Sequence, residues 1–318
     1  MADVNLNTGL VITGWEIIRR LGSGACGSVY EVRKQADNTR RAMKVERHSG
    51  KRDQELLKME VHLLRRATGQ RRMIQLFTSG KTHSFNFMIM TLLGANISEM
   101  RRVCPQQRFS LSTALRLTLD SLESIKIVHD IGFVHRDIKP SNYALGGDET
   151  TRRMVFLLDF GLCRQIEEIS MDGEQKIRDP RLCVPFRGTL RYCSLNVHHR
   201  LEHGRHDDII SLMYMALEFN NGSLPWRNKS KSEIIRLKKS NMEKMLQNCP
   251  ENYTRITNYL DTLDYYSRPE YEMLKQLLDD EKQRSRVQDA DPFDWEEGGT
   301  FAENFSMSLE AALTPPDL

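Results

Sequence analysis

Two aspartates constrain this chain most: Asp137, in the run His135-Arg136-Asp137-Ile138-Lys139-Pro140-Ser141-Asn142, and Asp159, in Asp159-Phe160-Gly161. Each follows a short apolar run, Phe133-Val134 for the first and Val155-Phe156-Leu157-Leu158 for the second, so each carboxylate is expected at a strand end, where the backbone holds it rigidly. Asp159-Phe160-Gly161 alone reads equally well as a turn after a buried strand. Its place in the order of motifs is what carries information.

Upstream, Trp15 to Leu21 and Ser28 to Arg33 read as two strands of a hairpin whose tip is Gly22-Ser23-Gly24-Ala25-Cys26-Gly27. A dinucleotide fingerprint of similar spelling opens a helix; here Val29, Tyr30 and Val32 continue a strand, so the glycines form a lid over phosphates. Arg40 to Glu46 is a third strand, and its period of two puts Ala42 and Lys44 on one face, Met43 and Val45 on the other. Asp53 to Ala67 has helical spacing, with Glu60 inside the stripe Leu56, Leu57, Leu63, Leu64. A buried carboxylate is costly unless paired, and Lys44 is its natural partner. The alternative is a Glu60 that swings to the stripe edge and meets solvent.

Met73 to Thr78 and Phe85 to Leu92 read as two more strands, completing a small antiparallel sheet with one helix. Beyond Gly94 the pattern turns helical. Ser112 can cap a long helix closed by Gly132, and helices are expected at about Asp207 to Phe219, Lys231 to Gln247, Glu251 to Leu263 and Arg268 to Arg284. From Val287 the periodicity fades into an acidic-aromatic stretch around Phe293 and Trp295, read as a locally docking extension and a loose tail. The chain thus reads as α+β: 15–285 as one two-lobed domain, with a β lobe at about 15–92 and a helical lobe at about 95–285, then 286–318 as the extension.

These parts suit phosphoryl transfer from a nucleotide to a hydroxyl, which needs a carboxylate at the hydroxyl proton, divalent metal on the phosphates and a cation at the developing charge. Asp137 fits the first need, Asn142 and Asp159 offer hard oxygens for Mg²⁺, and Lys139 and Lys44 supply cations. Net charge is +3, with basic pairs such as Arg40-Arg41, Arg65-Arg66, Arg71-Arg72 and Arg101-Arg102 scattered rather than massed, so a solvated basic face is preferred to nucleic-acid binding. Six cysteines show no C-x-x-C spacing and are expected as reduced thiols. No stretch approaches the roughly 18 apolar residues of a membrane span. Ala2 does not fit myristoylation, the Pro315-Pro316-Asp317-Leu318 end offers no prenylation cysteine, and no signal peptide is read. The expectation is a monomer without membrane attachment, cytoplasmic, with entry to the nucleus left open.

The order of glycine hairpin, strand lysine, helix glutamate, catalytic loop and metal aspartate resembles the eukaryotic protein kinases over about residues 15–285. Ser194-Leu195-Asn196, where most kinases carry Ala-Pro-Glu, and Gly204-Arg205-His206-Asp207-Asp208 resemble the casein kinase 1 superfamily. Leu57-Lys58-Met59-Glu60-Val61, Phe186-Arg187-Gly188-Thr189, Leu224-Pro225-Trp226-Arg227 and Phe293-Asp294-Trp295-Glu296 are similar to its tau-tubulin kinase branch. The resemblance implies a bilobal protein-kinase fold and a serine/threonine protein kinase using ATP and Mg²⁺.

It further implies that Asp137, Lys139, Lys44 and Glu60 are catalytic, and that Asn142 and Asp159 hold metal. ATP would lie under Leu21, Gly22, Ser23, Gly24, Ala25, Cys26, Gly27, Ser28 and Val29, with Ala42, Ala144 and Leu158 about the adenine, Met90 as gatekeeper, and Thr91, Leu92 and Leu93 as hinge. Core packing would explain the apolar members equally well. Asp208 would brace the catalytic loop, and Thr189 would contact Asp137 and Lys139. Arg191 matches an anion site favouring acidic or already phosphorylated proteins, cytoskeletal ones among them, while a structural partner inside its own segment is an equal alternative. No activation threonine is evident between Leu162 and Pro185, where Ser170 lies, so activity without loop phosphorylation is expected. Cys26 stands where an aromatic is usual, and Cys163 and Cys193 where alanines are. The competing reading is a kinase-fold scaffold of weak activity, which would lack one of Lys44, Asp137, Asn142 or Asp159; all four are present.

Overall fold

The computed structural model describes residues 4–24, 27–48, 56–169, 173 and 175–306, and the chain divides into two compact units. The first takes residues up to Gly94 together with Ala144–Arg164, and the second takes Ala95–Tyr143 with Gln165 onward. The first is β-rich and the second helical, an α+β fold.

In the first unit, β1 (Val11–Ile12), β2 (Trp15–Gly24), β3 (Gly27–Lys34), β4 (Arg40–Arg47), β5 (Leu76–Lys81) and β6 (Phe85–Met90) form an antiparallel sheet in the order β1-β2-β3-β4-β6-β5. The alternation of β4 is what builds it. Met43 and Val45 enter a core with Ile17, Tyr30, Val32, Phe87 and Ile89, while Ala42, Lys44 and Glu46 share the opposite face. Helix α1 is Leu56–Arg66, with Leu57, Leu63 and Leu64 buried and Glu60 buried among them. Its expected start at Asp53 lies outside the described residues.

Two strands differ from expectation. The strand expected at Met73 to Thr78 runs from Leu76 to Lys81; Met73 instead makes a parallel bridge to Leu157, drawn by an apolar side chain that is only 2% exposed. The strand begun at Phe85 ends at Met90; one step on, the Gln75 N–H goes to the Thr91 hydroxyl at 2.9 Å, so the ladder is not completed through backbone.

The second unit is organised on α3 (Leu111–Asp130), after a short α2 (Ile97–Val103) that the sequence did not announce. The cap of α3 is Ser110, whose hydroxyl accepts the Thr113 N–H, and not Ser112, whose hydroxyl donates to Asp291 Oδ2 at 3.2 Å. Gly132 closes the helix at φ +86. There follow α4 (Leu195–His198), α5 (Arg205–Asn221), α6 (Lys231–Ser240), α7 (Met242–Leu246), α8 (Glu251–Leu260) and α9 (Tyr271–Arg284). The single helix expected over Lys231 to Gln247 is broken at Asn241, at φ −119 and ψ 3, and α9 starts past Pro269, which has no N–H to give a helix interior. Among the described residues no helix is long and apolar enough to cross a membrane.

The described part of the extension packs on α3. Asp294 Oδ2 accepts the Ser110 N–H at 2.8 Å, and Arg116 donates to the Asp291 and Pro292 carbonyls while lying 4.0 Å over the Phe293 ring. Phe293 stacks on Trp295 at 4.8 Å, and Trp295 meets Phe109 edge-on. Residues 307–318 lie outside the described residues.

Candidate active site

In the first unit β2 and β3 converge on the Gly24–Gly27 pair, the last before the tip. Ala25 and Cys26, both expected over phosphate, lie outside the described residues. Gly27 has φ +113, and a Cβ there would stand 2.1 Å from the Val45 carbonyl oxygen, so close strand packing demands glycine. Gly22 and Gly24 differ: a Cβ at either would meet nothing within 4 Å. Their side-chain sides are open, with room for phosphate against bare backbone. Leu21, Gly22, Ser23 and Gly24 are exposed, Ser28 is buried and Val29 half-buried.

Lys44 is buried, and its Nζ donates to Glu60 Oε2 at 2.6 Å and to Asp159 Oδ1 at 2.9 Å. Burial pushes the Glu60 carboxyl up, opposed by the Lys44 charge. Asp159 holds φ 63 and ψ 67, a left-handed conformation rare outside glycine, and the following Phe160 is wholly buried. Ala42 pairs across the sheet with Met90; both are buried, as is Ala144, while Leu93 and Leu158 are half-buried. Of the expected hinge, the Thr91 N–H is already committed to the Gln75 carbonyl at 3.1 Å.

One residue here has no counterpart in the sequence reading. Glu46, on the Lys44 face of β4 and 1% exposed, accepts the N–H groups of Leu56 and Leu57 at 2.8 and 3.2 Å. It ties the strand to the first described turn of α1. Only its period-two relation to Lys44 could have signalled it.

In the second unit everything converges on Asp137, buried at a left-handed corner set by Arg136, φ 71. Lys139 Nζ donates to its Oδ2 at 2.6 Å, Thr189 Oγ1 to its Oδ1 at 2.7 Å, and Lys139 also reaches Thr189 Oγ1 at 3.3 Å. Asn142 Nδ2 donates to the Asp137 carbonyl at 2.9 Å, leaving the amide oxygen as that side chain's acceptor. Gly188, φ +93, lets Thr189 come so close, since a Cβ there would stand 2.4 Å from the Arg136 carbonyl oxygen.

Beneath this corner Asp208, fully buried on α5, takes four donors: the N–H groups of His135 and Arg136 at 2.7 and 2.9 Å, and Nε2 of His129 and of His203, both at 2.9 Å. Burial opposes its charge, but the His203 charge and the imidazole hydrogen bonds outweigh it and hold the carboxyl well below the usual range. Burial holds His129 below its ordinary value; His203 is raised, because the Asp208 charge overcomes its burial.

Ser194 caps α4 and donates to Asp207, and Asn196 also reaches that carboxylate at 3.4 Å, so Ser194-Leu195-Asn196 knits the segment to α5. Arg191 is turned toward the buried Glu218, its Nη1 3.5 Å from Oε1, with its guanidinium partly over the Tyr192 ring. Lys229 and Lys231 are exposed. Among the described residues five cysteines are free thiols; Cys163 and Cys193 are buried, and Ser170 and Cys26 lie outside that set.

A divalent ion with phosphate ligands needs few protein donors. Among the described residues no cluster of three acidic, His or Cys side chains exists to hold a metal unaided. In the first unit Asp159 offers a hard oxygen and the open glycines leave room for phosphate, which fits a metal that arrives with a nucleotide; in the second unit Asn142 offers another hard oxygen.

The chain matches the protein kinase domain family over residues 15–295. It is 36% identical over 299 residues to a protein of Dictyostelium discoideum named a probable serine/threonine-protein kinase, covering 93% of this chain and 59% of that one. It is 31% identical over 291 residues to the serine/threonine-protein kinase spe-6 of Caenorhabditis elegans, covering 89% and 75%. A nematode protein named an inactive tau-tubulin kinase is 32% identical over 225 residues, 68% of this chain and 78% of the relative.

Proposed function

The chain belongs to the protein kinase family, and on that premise we propose that it transfers the γ-phosphoryl group of ATP to serine and threonine hydroxyls of protein substrates. The observation that carries this is the constellation at Asp137, a carboxylate held by Lys139 at 2.6 Å and Thr189 at 2.7 Å. In the proposal Asp137 orients the acceptor hydroxyl and receives its proton, and Lys139 offsets charge on the transferring group. Lys44, fixed by Glu60, holds the nucleotide phosphates under Gly22–Gly24, and the apolar Ala42, Val29, Ala144 and Leu158 flank the base. Asn142 and Asp159 would hold Mg²⁺, which when bound neutralises phosphate charge.

The finer reading is a casein kinase 1-type enzyme of the tau-tubulin branch, supported by Ser194-Leu195-Asn196 and by the name of one relative. That relative is named inactive, which is the reason to weigh a scaffold reading, yet Lys44, Asp137, Asn142 and Asp159 are all in place here. Protein acceptors that are acidic or already phosphorylated, and cytoskeletal ones among them, belong to the same proposal. Incubation of the purified chain with Mg-ATP and casein, then with tau or tubulin, tests it. Phosphoserine or phosphothreonine formed by the wild type supports the reading, and nucleotide binding without transfer supports the scaffold.

A further inference from the structure

The segment carrying Thr189 is anchored at both ends, by Gly188 against the Arg136 carbonyl and by Ser194 on Asp207. Its middle needs another support, because its carbonyls turn into the unit. Thr189 O accepts the N–H groups of Tyr192 and Cys193, both at 3.0 Å. Arg191 O accepts from Trp226 Nε1 at 2.8 Å. The carbonyls of Leu190 and Cys193 both accept from one ammonium, Lys238 Nζ, at 3.0 and 2.5 Å.

Lys238 is an odd residue to bury. It is 1% exposed on α6, whose neighbouring Lys239 is exposed. The third direction of its ammonium meets His198 Nε2 at 3.2 Å, and its head lies 4.7 Å from the Tyr214 ring and 5.7 Å from the Trp226 ring. His198 is pushed down to about 4, first by burial and then by the Lys238 charge, so its Nε2 is free to accept. Burial pushes the lysine itself down to about 8, and among the described residues no carboxylate pairs with it. A buried cation without an anion is expensive. What it supplies is a set of donors where two backbone carbonyls converge, each costly to leave unmade.

We propose that Lys238, with Trp226, positions the acceptor-side segment, holding the Leu190, Arg191 and Cys193 carbonyls so that Thr189 Oγ1 stays on Asp137 and Lys139. This rests on the kinase reading of Asp137. Lys238 touches neither nucleotide nor acceptor in this proposal; it acts through Thr189.

Steady-state kinetics with an acceptor peptide and Mg-ATP test it on wild type, Lys238→Met, Thr189→Ala and the double variant. The methionine keeps length and apolar stem and removes the donors. The expected result is a loss of about tenfold or more in kcat/KM for the peptide in Lys238→Met, with KM for ATP within about twofold of wild type. In the Thr189→Ala background the same change should cost less than about twofold, since its effect passes through that hydroxyl. Independent, multiplying losses, or an equal shift in KM for ATP, would overturn the proposal and leave Lys238 a general packing residue. If Lys238→Met does not purify folded, Trp226→Phe, which removes the donor to Arg191 and keeps a ring, takes its place with the same two outcomes. A wild type that binds ATP and transfers nothing would overturn the function proposed above and this role with it, which additive losses in an active enzyme would not.

Discussion

The Glu46 carboxylate accepts the Leu56 N–H at 2.8 Å, one helical turn before Glu60, while two residues back on the same strand face Lys44 Nζ meets Glu60 at 2.6 Å. Strand β4 therefore grips α1 twice, once through backbone and once through side chain. If the first grip sets the second, Glu46→Ala should raise KM for ATP and lower kcat/KM for ATP by about ten- to a hundredfold, the scale of a lost charge-assisted hydrogen bond of about 1.5–3 kcal/mol. Glu46→Gln, which keeps one good acceptor, should fall between. Steady-state kinetics decide; a Glu46→Ala enzyme with unchanged KM for ATP would separate the two grips.

Asp208 satisfies two backbone donors and two imidazoles at once, so Asp208→Ala leaves these donors buried and unpaired and removes the charge that raises His203 against its burial. A loss of about 3–5 kcal/mol in unfolding free energy, read from urea midpoints, is expected.

The pH dependence of this cluster has a definite sign. His203 is raised in the folded state, so its contribution is full below its unfolded value, near 6.5, and fades as pH rises through the folded value. Asp208 is held well below 3.8, so its contribution is constant above the unfolded value and fades only as pH falls through the folded one. Urea midpoints of the wild type should therefore decline as pH rises above the unfolded value, near 6.5, relative to His203→Asn. Parallel curves would count against a charged His203.

Lys238 gives the opposite slope. Its folded value is about 8 against 10.5 unfolded, so between those limits the native state sheds its proton first and stability rises with pH. Unfolding free energy of the wild type minus that of Lys238→Met should climb by about 3 kcal/mol over that window, at about 1.4 kcal/mol per unit. A flat difference would mean the amine is neutral or exposed throughout.

For Arg191 the structure weighs against a free anion site, since Glu218 and the Tyr192 ring already engage the guanidinium. The sequence reading expects Arg191→Ala to slow phosphorylation of primed peptides more than unprimed ones. Equal slowing on both would assign Arg191 to holding its own segment, where its carbonyl meets Trp226.

The functional motifs were legible because each couples a reactive side chain to a local signal: a glycine turn, a strand alternation, an apolar run ending in aspartate. The period of two on β4 put Lys44 opposite Met43, and the structure has it so. Caps were less legible. Ser110 and Ser112 are equal candidates locally, and the choice falls to Ser110 because Asp291 and Asp294, far along the chain, engage Ser112 and the Ser110 N–H. Glu46 and Lys238 were missed for the same reason: a charged residue in a strand or on an exposed helix looks solvated until distant backbone groups converge on it. The break at Asn241 is tertiary too, since the apolar spacing of Lys231 to Gln247 runs through it.

The role of Asp137 is tested by phosphate incorporation into casein from Mg-ATP by the wild type beside Asp137→Asn, with nucleotide affinity measured on both. Equal ATP binding is expected, with a transfer rate lower by about 10²–10⁴ in the variant. Equal transfer by both proteins, or none by a wild type that binds Mg-ATP, would contradict that role.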